Sequence, residues 1–327
     1  MSEKATSCAA PFKTMIGGQA LIEGIMMMGP DKKAIVIRKS DGELVEKVED
    51  RVLIKDKYPV LGLPFIRGLF GFGSSMANGV KALMYSAEFF PEEEDGGEEE
   101  PSKFEAWLDK KLGSEKAASV FITLAVVLGV AFSVGLFILL PTFITGGVLH
   151  FFPGFPLWGR NLVEGVMKIA IFMGYLMLTS RLKDIRRVFS YHGAEHKTIF
   201  CYERGLPLTV ENVRAQPKHH PRCGTSFLFV VIFISILFSG VFFAIYPVEN
   251  TFLRALAHLV LLPLVVCVTY ELNRFVGAHD NALCRAIRAP GMWMQNYTTF
   301  EPDDSMIEVG IRSLELVLPR EKGKDAW

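Results

Sequence analysis

The chain lacks a cysteine framework, a net charge and a phosphate-cradling loop, and each absence removes a class of function. Its five cysteines, Cys8, Cys201, Cys223, Cys267 and Cys284, are odd in number, scattered and without a C-x-x-C pair, which argues against a disulfide scaffold and for a reducing compartment. Lysine plus arginine and aspartate plus glutamate both total 35, so no global field draws the chain to nucleic acid, and no specific nucleic-acid partner is expected. Neither G-x-x-x-x-G-K-[ST] nor G-x-G-x-x-G occurs; the Gly17-Gly18 pair reads instead as a turn beside a strand, with Gln19 and Glu23 as residues that could face a site. The first residues, Met1 to Cys8, have no apolar stretch of the kind a cleavable export signal uses, so the front of the protein is expected to stay inside the cell.

What the chain has in excess is apolar length: 50% of its residues are hydrophobic and 26 are Phe. A helix of roughly 20 apolar residues spans a hydrocarbon core, because every backbone amide must be paired where no water is present. Four runs reach that length: Ala117 to Leu140, stopped by Pro141; Leu162 to Thr179; Phe227 to Tyr246; and Phe252 to Tyr270, kinked at Pro263 and followed by Glu271. Basic residues crowd one connection, with Arg181, Lys183, Arg186, Arg187, Lys197, Arg204, Arg214, Lys218 and Arg222 between spans two and three. The connection between spans one and two has Arg160, and that between spans three and four has none. Lys and Arg in short loops are retained on the cytoplasmic side, which places the central loop and both termini in the cytoplasm.

Before the spans, Asp41-Gly42 between Ala34–Ile37 and Leu44-Val45 is a hairpin signature, predicting a β unit of two to four strands. Pro64 to Phe90 is apolar but broken by Arg67, Asn78, Lys81 and glycines, which reads as helix lying on or dipping into the interface. An acidic run, Glu92 to Glu100, reads as a solvated spacer, and Phe104, Trp107, Leu108 and Leu112 mark an amphipathic lead-in to the first span. Ala289 to Gln295 reads as a loop or short apolar-faced helix, and Glu301-Pro-Asp-Asp304 as the cap of a terminal helix. The expected fold is a mainly α integral membrane protein, with four transmembrane helices, a small N-terminal cytoplasmic β unit and interfacial helices. The division is a β unit over 1–60, an interfacial segment over 61–90, an acidic linker over 91–102, a membrane domain over 103–271 with a His-rich loop over 181–224, and a C-terminal cytoplasmic segment over 272–327.

Four of the seven histidines, His192, His196, His219 and His220, fall in the basic central loop. His192-Gly-Ala-Glu195-His196, read as continuing the helix of span two into the cytoplasm, fits the H-x-x-E-H pattern, which puts two imidazoles one helical turn apart on one face with a carboxylate beside them. The pair could share a divalent metal, zinc above all, with Glu195 as general base or further ligand; Gly193 could break the helix that joins them. Zinc catalytic centres take three protein ligands and keep an open position. His220 is the first choice for the third, with Cys223 and Glu271 as further candidates and Cys201, Glu203 and Glu211 on the same loop. Glu164 and Lys168, four residues apart in span two, read as a structural ion pair, and His258 in span four as a packed residue. Spans one and three carry no ionisable residue, which weighs against a transporter.

Four motifs in order, Gly17-Gly-Gln-Ala-Leu-Ile-Glu-Gly-Ile-Met-Met-Met, Tyr191-His-Gly-Ala-Glu-His-Lys-Thr, His220-Pro-Arg-Cys-Gly-Thr-Ser-Phe, and Pro290-Gly-Met-Trp-Met-Gln with Thr298-Thr-Phe-Glu-Pro-Asp-Asp, resemble the YqhQ-like bacterial membrane proteins. That family is of unknown function and is described at best as a predicted metal-dependent enzyme. The resemblance covers about Gly17 to Leu316 and implies a multi-pass protein of the bacterial cytoplasmic membrane. It also implies a metal group on His192, Glu195 and His196, joined by His220, Arg222 and Cys223, with His219 outside the motif. Met28 stands where the family often has Arg, which counts against an anion-binding role there. The expected activity is metal-dependent hydrolysis at the cytoplasmic face of the membrane. The alternative is a non-enzymatic scaffold whose basic loop binds a cytoplasmic protein or anionic lipid headgroups.

Overall fold

Asp41-Gly42 turns the chain as its residue types require, with Gly42 in the left-handed region at φ 88° and the flanking strands paired from Arg38 and Leu44 outward. A computed structural model describes residues 12–52, 58–90, 114–152, 154–321 and 323–326. The acidic run, the amphipathic lead-in at Phe104 to Leu112 and Cys8 lie outside the described residues. Four strands, β1 (Gly17–Leu21), β2 (Gly24–Met28), β3 (Lys32–Arg38) and β4 (Leu44–Asp50), form an antiparallel sheet in sequence order. The helices are α1 (Ile66–Ala87), α2 (Ser114–Val134), α3 (Leu140–His150), α4 (Leu157–Thr179), α5 (Lys183–Glu203), α6 (Val210–Arg214), α7 (Gly224–Ile245), α8 (Thr251–Ala278), α9 (Ala282–Thr298) and α10 (Asp304–Glu315).

The chain is mostly helical. Among the described residues four helical stretches are long and apolar enough to cross a membrane: Thr123–His150, Trp158–Thr179, Gly224–Ile245 and Thr251–Ala278. Two compact units result, one of Met1–Phe90, Gly174–Ser235 and Leu262–Trp327, the other of Pro91–Met173 and Ile236–Leu261.

In the first unit both faces of the central strands β2 and β3 are buried, following the two-residue alternation of a strand, while β4 is largely exposed. Ile25, Met27, Ala34 and Val36 pack with Tyr191 and Ala194 of α5 and with Met306 and Val309 of α10. The opposite face, Leu21, Met26, Ile35 and Ile37, packs on Ala82 of α1. Asp303 caps α10, accepting from the Met306 amide at 3.0 Å.

Three helix boundaries differ from the sequence reading, each for a local reason. Pro141 does not stop the first span: a π-helical stretch over Gly135–Leu139 widens the turn before it, and the helix runs on through Pro141 to His150. Helix α5 is not a continuation of α4. Leu182 is extended at ψ 133°, and before it the Thr179 and Ser180 hydroxyls donate to the Tyr175 and Met177 carbonyls, competing with the helical ladder. Ala289 to Gln295 belongs to the 17-residue helix α9, which starts at an Asn281 cap and runs through Pro290.

Candidate metal centre

All parts of the histidine cluster lie in the first unit. Helix α5 passes unbroken through Gly193, a position where the neighbouring chain leaves no room for a side chain: a Cβ there would stand 2.0 Å from the Phe300 carbonyl oxygen. His192 and His196 therefore sit one turn apart on one face, with ring centroids 4.3 Å apart. Each ring is oriented by its own main-chain acceptor, His192 through Nδ1 to the Thr298 carbonyl at 2.7 Å and His196 through Nδ1 to the Lys218 carbonyl at 2.6 Å. Both Nε2 atoms are left for other work. His192 Nε2 lies 3.1 Å from Cys223 Sγ, and His196 Nε2 is buried with no hydrogen-bond partner.

Ligand atoms of His192, His196 and Cys223 all lie within 4.8 Å of one another, and the three side chains are buried. Cys223 immediately precedes α7, and its sulfur also meets the Thr225 hydroxyl at 3.1 Å. Burial would raise the Cys223 thiol, but the charges of His192 and His196 outweigh it and hold the thiol well below its ordinary value. Burial would likewise lower His192, yet Cys223, Glu195 and the Thr298 carbonyl push it up to about 9. Each group thus favours the charged form of the other, and both are groups a metal would claim by displacing a proton.

Glu195 is buried and raised above its ordinary value by that burial, against the opposing charges of His192 and His196. Its Oε1 accepts the Gly18 amide of β1 at 3.0 Å, an approach open because Gly18 has no Cβ to meet the carboxyl carbon. Gln19, the next residue, lies instead under Gly79 of α1. Glu23, at the β1–β2 turn in the left-handed region at φ 49°, is held by the Arg187 guanidinium and by the Tyr191 hydroxyl at 3.0 Å. Neither is placed at the histidines.

The other sequence candidates have separate partners. His220 lies 5.5 Å from His196 between ring centroids, and its imidazole faces Glu203 at 3.6 Å, while Gln295 brackets its backbone with two bonds of 2.8 Å. Glu203 is also held by Arg222 and by the Thr14 amide at 2.8 Å. Burial pushes Glu203 up, but His220, Arg222 and that amide bring it below its ordinary value. Glu271 pairs with Arg67 and accepts the Phe65 amide at 3.2 Å. Cys201 is buried among Val213 and Ile307, with burial pushing its thiol up to about 11. Glu211 is exposed. The orienting carbonyls of Thr298 and Lys218 escape a reading by side-chain type, since any residue supplies a carbonyl. Gln295, by contrast, stands inside a quoted motif.

In the second unit Glu164 is the centre of a larger group than an i to i+4 pair. It accepts from Lys168 at 3.1 Å, Arg254 Nε at 2.9 Å, His258 Nε2 at 2.5 Å and the Thr142 hydroxyl at 2.7 Å. Arg254 lies inside the otherwise apolar run from Phe252, and its guanidinium stacks 3.8 Å from the Phe243 ring centre.

The profile of a family described as "Protein of unknown function (DUF1385)" matches residues 63–320. The chain is also similar to the uncharacterized protein YqhQ of Bacillus subtilis (strain 168), with 33% identity over 317 residues that cover 92% of each chain. No solved structure matches it.

Proposed function

We propose that this chain, which belongs to the YqhQ-like DUF1385 family of unknown function, is a metal-dependent hydrolase working at a membrane surface. The observation that carries the reading is the paired orientation of His192 and His196. Two main-chain carbonyls fix both Nδ1–H groups, so both Nε2 atoms turn toward the Cys223 sulfur, and His196 Nε2 is left buried and unpaired. A buried nitrogen without a partner is costly unless something binds it. Two imidazoles and a thiolate suit zinc, and three protein ligands are the number a catalytic zinc site takes. Bound there, such an ion supplies Lewis-acid activation of water and of the scissile group. Glu195, raised by burial and oriented by the Gly18 amide, is matched to accepting a proton and returning it to a leaving group.

The four apolar helices support placement in a bilayer, and the basic flanks of the central segment support a cytoplasmic site and cytoplasmic termini in a bacterial inner membrane. Purified protein is expected to hold one zinc per chain by elemental analysis. His192→Ala, His196→Ala and Cys223→Ser each lose it, whereas Glu195→Gln keeps it. Zinc-free parent protein, or unchanged metal in both histidine variants, sinks the reading. A closed structural metal site is the second reading, favoured by the burial of all three ligand side chains. It predicts that metal removal unfolds the first unit, measured as a loss of the cooperative thermal transition.

A further inference from the structure

Helix α1 touches two different environments. Its C-terminal half belongs to the sheet: Ala82 packs on Leu21 and Ile35, and the Ser86 hydroxyl accepts the Ile22 amide at 3.3 Å. Its N-terminal half lies against the apolar helices α7 and α8, with the Phe72 ring 5.9 Å from that of Phe227. Gly68 abuts α8 so closely that a Cβ would lie 3.1 Å from the Cys267 Cα and 2.9 Å from the Tyr270 Cβ. All these residues belong to the first unit.

Depth follows from counting along α8. Its 28 residues extend about 42 Å, about 12 Å more than a hydrocarbon core of about 30 Å. Cys267 stands eleven residues before Ala278, about 16 Å from that end. Even if the whole excess projects beyond the Ala278 end, Cys267 and the Gly68 against it are still about 4 Å inside the hydrocarbon.

The residues before Gly68 reach Glu271, which by the same count stands about 10 Å from the Ala278 end and lies inside the hydrocarbon when the excess is shared between both ends. Between Tyr58 and Met76 the single charge is Arg67, which Glu271 of α8 neutralises. The same carboxylate accepts the Phe65 amide at the irregular start of α1, where an unpaired N–H would be costly in lipid. Pro59 and Pro64 have no amide to satisfy. Val60, Leu63 and Phe65 expose half or more of their surface with no protein over them (63%, 50% and 54%). An apolar tip, a cancelled charge and contact with spanning helices share one explanation. We infer that Tyr58–Met76 is a re-entrant element, which dips into the half of the bilayer nearer Ala278, with its Val60–Phe65 tip seated among acyl chains. The inference rests on the proposed reading that α7 and α8 span the bilayer.

Single cysteines at Val60, Leu63, Val127 and Glu43 in the full-length chain test it, in native membranes sonicated so that both faces are open. An impermeant maleimide is applied, and each labelled peptide is quantified by mass spectrometry, which separates it from the native cysteines. Val60→Cys and Leu63→Cys are expected to react at least about tenfold more slowly than Glu43→Cys on the sheet turn, matching Val127→Cys inside an apolar helix. A bimane on Leu63→Cys is expected to be quenched by lipids bearing an acyl-chain nitroxide. If Val60→Cys and Leu63→Cys react as fast as Glu43→Cys while Val127→Cys stays protected, the re-entrant element is overturned and the spans stand. If Val127→Cys also reacts fast, the spanning reading falls and this inference with it. Slow labelling of Leu63→Cys without nitroxide quenching assigns the protection to protein and likewise overturns it.

Discussion

Gly193 and Phe300 are in backbone contact: a single added methyl at Gly193 would lie 2.0 Å from the Phe300 carbonyl oxygen. The segment running from Thr298 to Phe300 supplies the carbonyl that orients His192, and the Phe300 amide also donates to the Phe189 carbonyl at 3.0 Å. Gly193→Ala must therefore push this segment off α5. The expected cost is about 1–3 kcal/mol, typical of overpacking against a backbone that cannot yield easily, seen as a lowered thermal midpoint in detergent. Bound zinc falls with it, since the His192 ring loses its orientation. A variant with unchanged stability and zinc content would show that the contact does not position the ring.

Arg222 and Glu203 form a buried ion pair beside His220. Arg222→Ala leaves the Glu203 charge buried with fewer donors, and the expected loss is roughly 3–5 kcal/mol. The pH dependence follows from the depressed Glu203 carboxyl. Its charged form is favoured in the folded state, so its contribution is present above the ordinary carboxylate pKa of about 4 and is lost as pH falls through the lower folded value. Below about pH 4 the thermal midpoint of the parent should fall more steeply than that of Glu203→Gln, which has no proton to take up. Parallel slopes would remove Glu203 from the acid response.

Local chemistry made part of this molecule legible and long-range packing hid the rest. The apolar runs, the Asp41-Gly42 hairpin and the His192/His196 spacing each depend on neighbours within a few residues, and each is found where its pattern put it. Pro141 does not end its helix, which a π turn carries past it, and Gly193 does not break α5, which packs on the Phe300 backbone there. Cys223 ranked below His220 as a third ligand on residue type and motif. In the fold the His220 ring faces Glu203 and Arg222, while the start of α7 brings the Cys223 sulfur beside His192. Glu271 could be placed at the end of a span, but its partner Arg67 lies 204 residues away, beyond any pattern in one sequence.

Gly18→Ala separates two roles for Glu195. A Cβ at Gly18 would stand 2.6 Å from the Met26 carbonyl oxygen and 3.0 Å from the Glu195 carboxyl carbon, so the carboxylate must shift. As a proton carrier Glu195 can move without loss of metal, whereas as a ligand it cannot. The expected result is retained zinc by elemental analysis, with a stability loss of about 1–3 kcal/mol from the crowded strand. Zinc lost in both Gly18→Ala and Glu195→Gln would make Glu195 a ligand.

Glu164 offers the last test, because its carboxylate gathers Lys168, Arg254 and His258 inside helices apolar enough to cross a membrane. Removing the one acid from such a group leaves the Arg254 guanidinium, which is always charged, and the Lys168 amine without a counter-ion in a medium of low dielectric, the case in which breaking a buried pair costs roughly 3–5 kcal/mol. Glu164→Leu should therefore lower thermal stability in detergent strongly. Adding Arg254→Leu removes one stranded charge together with its bond to Asn161. The double variant should then be less damaged than the sum of the two single variants, with a coupling of at least about 1 kcal/mol between groups in direct contact. Strict additivity would mean that Glu164 and Arg254 do not depend on each other, and that the charges in this bundle are satisfied by something other than one another.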